Sequence, residues 1–390
     1  MAEIRSMSPL HYLVIALLIL MPASSQAQGV ADGDRLTFSG FGTLGLIHNS
    51  SDEAAFVRDL GQPKGAQEGW SARTDSLLGA QAALKLNDRF DVTLQGISRY
   101  HYSGDFSPQL TWAFVRYTPS PAWQWRAGRL GWDTYMLSDS QYVGYTYSWI
   151  RPPVDHYGIL QLACIDGVDV TFRHPLGGGL AWVKLFAGRS DSHLVLSEAL
   201  SAEMEVSHLY GGHLNYAIGP WQFRASYAQA DNASDFSVDR DAAAKTPSTL
   251  LLNTLLEQAF TYDSIQLYSL GATYEQNSWQ LQAMQNRSVT DQDGRIDSGF
   301  ISAGYRVGQA TPYVMYSRIQ TSFPDIPAGE SFRQQTWSLG LRYDVATNLA
   351  LKTQLDRIHV LEPGLLWRNT DADWEGERIT LVSLGLDFIF

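Results

Sequence analysis

The chain has 390 residues, a formal net charge of −12, only 17% charged residues and a single cysteine. The acidic balance excludes a general nucleic-acid binder, and the lone Cys164 excludes an internal disulfide framework. A charge content this low, with glycine and tyrosine abundant and tryptophan scattered throughout, is unusual for a soluble domain. In chain order, the first 27 residues read as a secretory signal peptide: Arg5 in a short polar start, the apolar run LVIALLILM (13–21), and SQA ending at Ala27 as the cleavage site. That run falls short of the roughly 17 to 25 residues of a spanning helix. No later stretch reaches 18 apolar residues, so residues 28–390 are not a helical membrane protein and form one domain.

From Leu36 the sequence keeps a period of two. LTFSGFGTLGL puts Leu36, Phe38, Leu44 and Leu46 on one face and Thr37, Ser39 and Thr43 on the other. RTDSLLGAQAALKL sets Leu78, Ala80, Ala82, Leu84 and Leu86 against Arg73, Asp75, Gln81 and Lys85. After NDR, FDVTLQGISRYHY sets Phe90, Val92, Leu94, Gly96, Tyr100 and Tyr102 against Asp91, Thr93, Gln95, Arg99 and His101. Alternation over ten or more residues exceeds the usual strand of about five or six and matches the roughly 9 to 11 residues of a tilted membrane strand. Connections alternate as well. Short ones at 87–89, 118–122, 175–179, 217–220, 276–278, 307–310 and 346–348 interleave with long polar ones at 49–70, 131–157, 190–205, 231–263 and 361–377. This asymmetry predicts an all-β fold, a transmembrane antiparallel β-barrel of about sixteen strands with short periplasmic turns and long external loops. Trp123, Trp182, Trp221 and Trp279 each follow a short turn and read as an inner aromatic girdle, with Tyr100, Tyr102 and Tyr227 toward the outer one. Residues 246–260, TPSTLLLNTLLEQAF, carry a capping Thr, a Pro at the first helical position and leucines at helical spacing, which predicts a short helix on the rim. The final stretch LVSLGLDFIF alternates Val382, Leu384, Leu386, Phe388 and Phe390 with Ser383, Gly385 and Asp387, so it pairs with the first strand and closes the barrel.

LKLNDRFDVTLQG, WRAGRLGWD, SLGLRYD and the terminal SLGLDFIF resemble the Gram-negative porins, sixteen-stranded outer-membrane channels, and the pattern covers nearly all of residues 28–390. The resemblance implies a homotrimer in the outer membrane, in contact with its lipid and lipopolysaccharide. It also implies a terminal aromatic, Phe390, that the barrel assembly machinery reads as an assembly signal. It further implies a third external loop folded into the lumen, which here is the segment 131–157, GWDTYMLSDSQYVGYTYSWIRPPVDHY. That segment is rich in tyrosine and tryptophan and lacks the Pro-Glu-Phe-Gly-Gly motif of the best-known members.

If the apolar face meets lipid, the polar face lines a channel. Arg73, Lys85, Arg99, Arg116, Arg126, Arg173, Lys184, Arg224, Arg306, Arg342 and Lys352 outnumber Asp75, Asp91, Asp169, Asp344, Asp356 and Asp387 on that face, which predicts a basic wall. Arg99, Arg116 and Arg126 set against Asp133, Asp139 or Asp155 of the inward loop would put a transverse field across a constriction. Carboxylates such as Glu203, Glu205, Asp235 and Asp239 crowd the long loops, where they would share divalent cations with lipopolysaccharide. His208 and His213 sit on opposite faces of a strand, and no H-E-x-x-H, Gly-x-Ser-x-Gly or Cys/His metal spacing appears. The chain therefore reads as no enzyme, with no cofactor and no metal. The expected function is a passive outer-membrane diffusion channel for small hydrophilic solutes, its basic lumen favouring anions or organic acids. The alternatives are a substrate-selective porin for dicarboxylates or phosphate, and a non-conducting barrel acting as adhesin or enzyme scaffold.

Overall fold

The computed structural model describes residues 35–159, 162–196, 200–238, 262–324, 332–362, 364–368, 370, 374 and 376–390; the expected signal peptide and the expected rim helix at 246–260 lie outside them. Among the described residues sixteen long strands form the wall: β1 (Leu36–Asn49), β2 (Leu77–Lys85), β3 (Phe90–Arg99), β4 (Pro108–Ser120), β5 (Trp123–Gly131), β6 (Cys164–Leu176), β7 (Gly179–Val195), β8 (Leu200–Ile218), β9 (Trp221–Val238), β10 (Ser264–Gln276), β11 (Trp279–Thr290), β12 (Arg295–Tyr305), β13 (Ala310–Ser322), β14 (Arg333–Ala346), β15 (Leu349–Glu362) and β16 (Arg378–Ile389). Each pairs antiparallel with its sequence neighbours. The sheet closes where β1 meets β16 in register from Phe41↔Ile389 to His48↔Val382. Closure leaves no edge, so every strand's backbone groups find partners within the wall.

The final residue completes this seam. Gly40 N–H donates to the Phe390 carbonyl at 2.8 Å and Phe390 N–H donates back at 3.0 Å. The Phe390 ring lies where a Cβ on residue 40 would stand, 2.2 Å from its nearest ring atom, so only glycine fits there.

The outward face is apolar along the wall: Leu94, Val168, Leu214, Leu270, Ile301, Leu339 and Leu355 are all exposed. Trp123, Trp221 and Trp279 stand outward at the short-turn end, as the spacing predicted, and Trp125 joins them. Trp182 does not join them, because it shares the strand face of the buried, inward Lys184. The expected loop 190–205 is mostly strand: β7 and β8 stay paired out to Ser201↔Val195. Small and apolar residues continue to alternate with acidic ones there, so the hairpin runs on beyond the band that lipid covers.

The inner face is where the structure departs most from expectation. Ser288, Ser298, Ser317, Thr336 and Ser383 are the small polar residues that a lumen predicts, yet they are buried. Between them Phe114, Phe186, Ile265, Leu267, Met284, Phe300 and Met315 also point inward and pack with Trp132, Tyr135, Tyr147, Trp149 and Tyr157 of the connection after β5. A second apolar cluster fills the long-loop mouth. Here Ala54, Phe56 and Leu60 from the first long connection meet Leu365, Leu366 and Trp367 from the last, over Ile47, Ile358 and Leu381 of the wall. Ala55–Phe56 and Trp367–Arg368 pair as a small antiparallel ladder across this mouth.

Candidate channel constriction

The connection after β5 enters the barrel, as the resemblance implied, and its course is set by wall cations that donate to it. At its root Lys184 Nζ lies 2.8 Å from Asp133 and 3.1 Å from Asp169. Arg224 donates to the Asp133 carbonyl at 2.8 Å and the Tyr135 carbonyl at 3.0 Å, and His213 Nε2 sits 3.3 Å from the Asp133 carboxylate. At its middle Lys352 donates to the carbonyls of Gly144 and Trp149, both at 2.7 Å, while holding Asp387 at 2.7 Å. Arg342 donates to the carbonyls of Tyr145 and Tyr147. Near its far end Arg151 leaves the loop and is wholly enclosed, bidentate to Asp75 at 2.9 and 2.7 Å and 3.0 Å from Asp356. The short helix α1 (Val154–Tyr157) then seats Asp155 against Ser317 and Gln334, each at 2.6 Å. His156 lies 3.0 Å from Asn286, and burial holds its imidazole neutral, with its pKa brought down to about 3.

The tyrosines of this loop have a specific role in that arrangement. Tyr142 lies under Arg99 at 4.9 Å, Tyr145 under Arg342 at 4.6 Å and Tyr147 under Lys352 at 4.7 Å. Each gives a wall cation an aromatic face that a shorter side chain would not supply. Gly144 marks the closest approach: a Cβ there would stand 2.3 Å from the Asp387 carboxylate and 2.7 Å from the Thr43 hydroxyl.

The expected opposition of three arginines to three loop aspartates is not what forms. Arg99 pairs with Asp59 of the first long connection at 2.8 Å. Arg116 pairs at 3.3 Å with Asp91, which the register of β3 and β4 sets directly opposite it near the short-turn end. Arg126 is bidentate to Asp169, its partner across β5 and β6. Cross-strand neighbours are fixed by register, and a carboxylate opposite an arginine on one face captures it before a loop can. Of the three, Arg126 alone lies in the field of Asp133 and Asp139. Asp139 is exposed, near Arg224, Lys184 and Arg126. Arg73 lies in the connection before β2, exposed, over the ring of Tyr100 at 5.0 Å. Arg129 pairs with Asp166 on the outward face, three positions after the inward Arg126 along an unbroken register.

Arg151 was not among the sequence candidates. Its signal was present: one charged residue inside the apolar, aromatic stretch SWIRPP, where a charge needs a partner in order to be buried.

On the short-turn side of the loop a polar vestibule of about 360 Å³ remains, lined among others by Tyr145, Glu275, Gln280, Gln282, Arg306 and Arg342. Among the described residues no cluster of His, Cys, Asp or Glu suits a metal ion.

A closed sixteen-stranded antiparallel barrel, apolar and aromatic-girdled outside, with a loop folded inside, is the architecture of outer-membrane channel proteins. A model of the Gram-negative porin family matches residues 186–360, and the chain resembles that family in sequence there and in fold throughout. OmpF of Salmonella typhi, solved in complex with daunomycin, aligns at a TM-score of 0.61 and 12% identity, covering 92% of this chain and 98% of that one. An anion-selective porin from Comamonas acidovorans aligns at 0.53 and 14%, covering 91% and 100%. The trimer form of OmpT, an outer-membrane protein of Vibrio cholerae, aligns at 0.54 and 12%, covering 92% and 100%. No curated protein matches the chain by sequence. Family and fold together point to a channel in a Gram-negative outer membrane rather than an enzyme.

Proposed function

We propose that the protein is a passive outer-membrane diffusion channel for small hydrophilic solutes, in which the inward loop sets the constriction, with a lean toward anions. The observation that carries the reading is the loop itself: a segment drawn into the barrel by Lys184, Arg224, Lys352 and Arg342, beside a polar vestibule open on the periplasmic side. Around the loop almost every cation has its carboxylate, so the anion lean rests on Arg224 and Arg306. Arg224 donates its hydrogen bonds to carbonyls and Asn215, with the Asp133 and Asp139 carboxylates near it but not bonded to it. Arg306 shares the vestibule with the lone carboxylate Glu275. Charged side chains at a narrow passage set preference because an ion there exchanges bulk water for them. The deciding experiment is single-channel current in a planar bilayer across a salt gradient. Discrete steps with an anion-leaning reversal potential are expected. Silent, correctly folded protein would overturn the reading.

A second reading is favoured by the apolar cluster of Phe56, Leu60, Leu366 and Trp367: a barrel whose external mouth opens only when the first and last loops part. Its signature in the same recording is rare, long-lived openings instead of continuous conductance. Two further roles complete the proposal. Phe390 is the assembly signal, so its deletion should impair outer-membrane insertion far more than Phe41→Ala. The protein is a homotrimer, so its band in detergent should shift from trimer to monomer on heating.

A further inference from the structure

The polar vestibule beneath the inward loop is a bay with a closed roof. Trp149 and Tyr157 of the loop rest on Phe300, Met284 and Met315 of the wall, so the described residues fill the barrel over β11 to β13, and the bay is reached from the short-turn side. Its floor is a regular array. Strand register sets Thr273, Gln282 and Ser302 side by side on β10, β11 and β12, and Glu275, Gln280 and Gly304 in the next row toward the turns. Neighbours in a row stand about 4.8 Å apart, and the rows, two residues apart, about 7 Å.

The array offers donors and acceptors together. Ser302 Oγ accepts from the Trp149 indole at 2.9 Å, which leaves its own proton to give. Gln280 Oε1 accepts from Ser148 at 3.0 Å, and its amide donates to Glu275 over a long 3.4 Å. Gln282 Nε2 is buried and has no partner among the described residues, which costs about 1 to 3 kcal/mol unless something meets it.

The space above this floor is held open by the fold. A Cβ on Gly304 would meet nothing closer than 3.5 Å, so the wall does not require glycine there, and its effect is to keep the second row clear. Leu137 lines the bay from a left-handed backbone conformation, φ 67°, which is strained for a bulky residue and is the kind of strain that functional sites retain. With Tyr145 it supplies apolar surface opposite the polar groups. The roof is fixed in advance, since Arg342 and Lys352 hold the loop carbonyls. A volume of about 360 Å³ falls within the roughly 300 to 1,000 Å³ of small-molecule sites.

Charge selects the class of ligand. Arg342 is occupied by Asp344 at 2.7 Å, and the two charges left at the mouth, Arg306 and Glu275, have opposite signs. A carboxylate or phosphate only accepts hydrogen bonds and would leave the acceptors of the array unmatched, whereas a hydroxyl gives and accepts at once. We propose that the bay is a binding subsite for a neutral polyhydroxylated solute of mono- or disaccharide size, with Gln282 and Ser302 hydrogen-bonding its hydroxyls. The inference deepens the channel reading by naming a solute class and rests on that reading for how the solute arrives.

Binding is measured by calorimetry on the full chain folded in detergent, with the disaccharide trehalose as probe and succinate and glycine betaine as the anionic and zwitterionic comparisons. Trehalose should bind in about the millimolar range, weakly enough to leave again, and about tenfold more tightly than either comparison. Gln282→Leu should lose about tenfold, the worth of one hydrogen bond to a buried amide. Gly304→Val, which fills the bay from a position with room for a Cβ, should abolish binding with the thermal midpoint unchanged, and it keeps the test valid if Gln282→Leu folds poorly. Gln81→Leu, on β2 and outside the bay, should bind as wild type does. Tighter binding of succinate or betaine, no binding of trehalose, or undiminished binding in either bay variant would overturn the proposal. Bilayer conductance is read separately: a silent protein that binds trehalose counts against the channel reading alone, and a conducting one that does not bind it overturns this inference alone.

Discussion

The two halves of the barrel interior are built on opposite principles. Toward the periplasm the inward residues Gln222, Arg224, Thr273, Gln280 and Gln282 remain partly exposed, the last three lining a polar vestibule. Toward the outside the inward residues are buried, packed against three loops by two apolar clusters and a few enclosed ion pairs. The outer half is thus a folded core with a barrel as its container, and the inner half is a lined passage. Permeability is accordingly decided by how firmly loops are seated in the outer half, and ion preference by which charges remain uncompensated in the inner half.

Four changes would break or sharpen this contrast. The largest effect should come from Arg151→Ala, which strands Asp75 and Asp356 without their partner in an enclosed site. A loss of about 3 to 5 kcal/mol is typical for breaking a buried pair, and the inward loop should loosen, raising single-channel conductance as the thermal midpoint falls. An unchanged conductance would separate loop seating from permeability. Next, Trp367→Ala removes a ring packed on Phe56 and Trp374 and a hydrogen bond of 2.7 Å to Gln334. About 3 kcal/mol should be lost, and the external mouth should admit larger solutes in a liposome swelling assay. Arg224→Gln, which removes the donor holding the Asp133 and Tyr135 carbonyls, should cost about 1.5 to 3 kcal/mol and shift the reversal potential toward cations, more than neutralising Arg99, Arg116 and Arg126 together, because those three are bonded to carboxylates. A larger shift from the triple change would restore the basic ring around the constriction.

The smallest effect concerns pH. His156 is buried neutral, with its folded pKa depressed to about 3 from the ordinary 6.5. Above pH 6.5 it contributes no pH dependence. As pH falls from 6.5 toward 3 the unfolded chain takes up the proton and the folded one does not, so stability declines over that window by up to about 1.4 kcal/mol per pH unit. In His156→Gln the thermal midpoint should fall less steeply over the same range; parallel curves would show that other groups carry the acid sensitivity.

The wall was legible in the sequence because lipid enforces one rule on one face. Every second residue from Val382 to Phe390 must be apolar, and every backbone group must pair, so alternation and turn spacing carried strand number and closure, while the inward loop came from the family resemblance. The interior obeys no such rule. Met284, Phe300 and Met315 face inward because a loop covers them, and period two cannot tell an apolar residue packed on a loop from one facing lipid when both faces of a strand are apolar. Pair identity was equally hidden, since Arg116 opposite Asp91 and Arg126 opposite Asp169 depend on register. Arg151 was legible in principle, as a charge in an aromatic stretch, but its partners Asp75 and Asp356 lie 76 and 205 residues away in sequence.

The seat of the inward loop is assembled from both ends of the wall. Gly144 rests against Thr43 of β1 and Asp387 of β16, and Thr43 donates to Asp387 at 2.5 Å across the closing seam, while Lys352 of β15 ties the same carboxylate to the loop. Those groups come together only when the last strand has found the first. The loop therefore has nowhere to dock until the cylinder is complete, which makes the constriction the last feature to form and the docked loop a record that closure has occurred. In a refolding time course, burial of Trp149 against Phe300 should lag the appearance of strand signal.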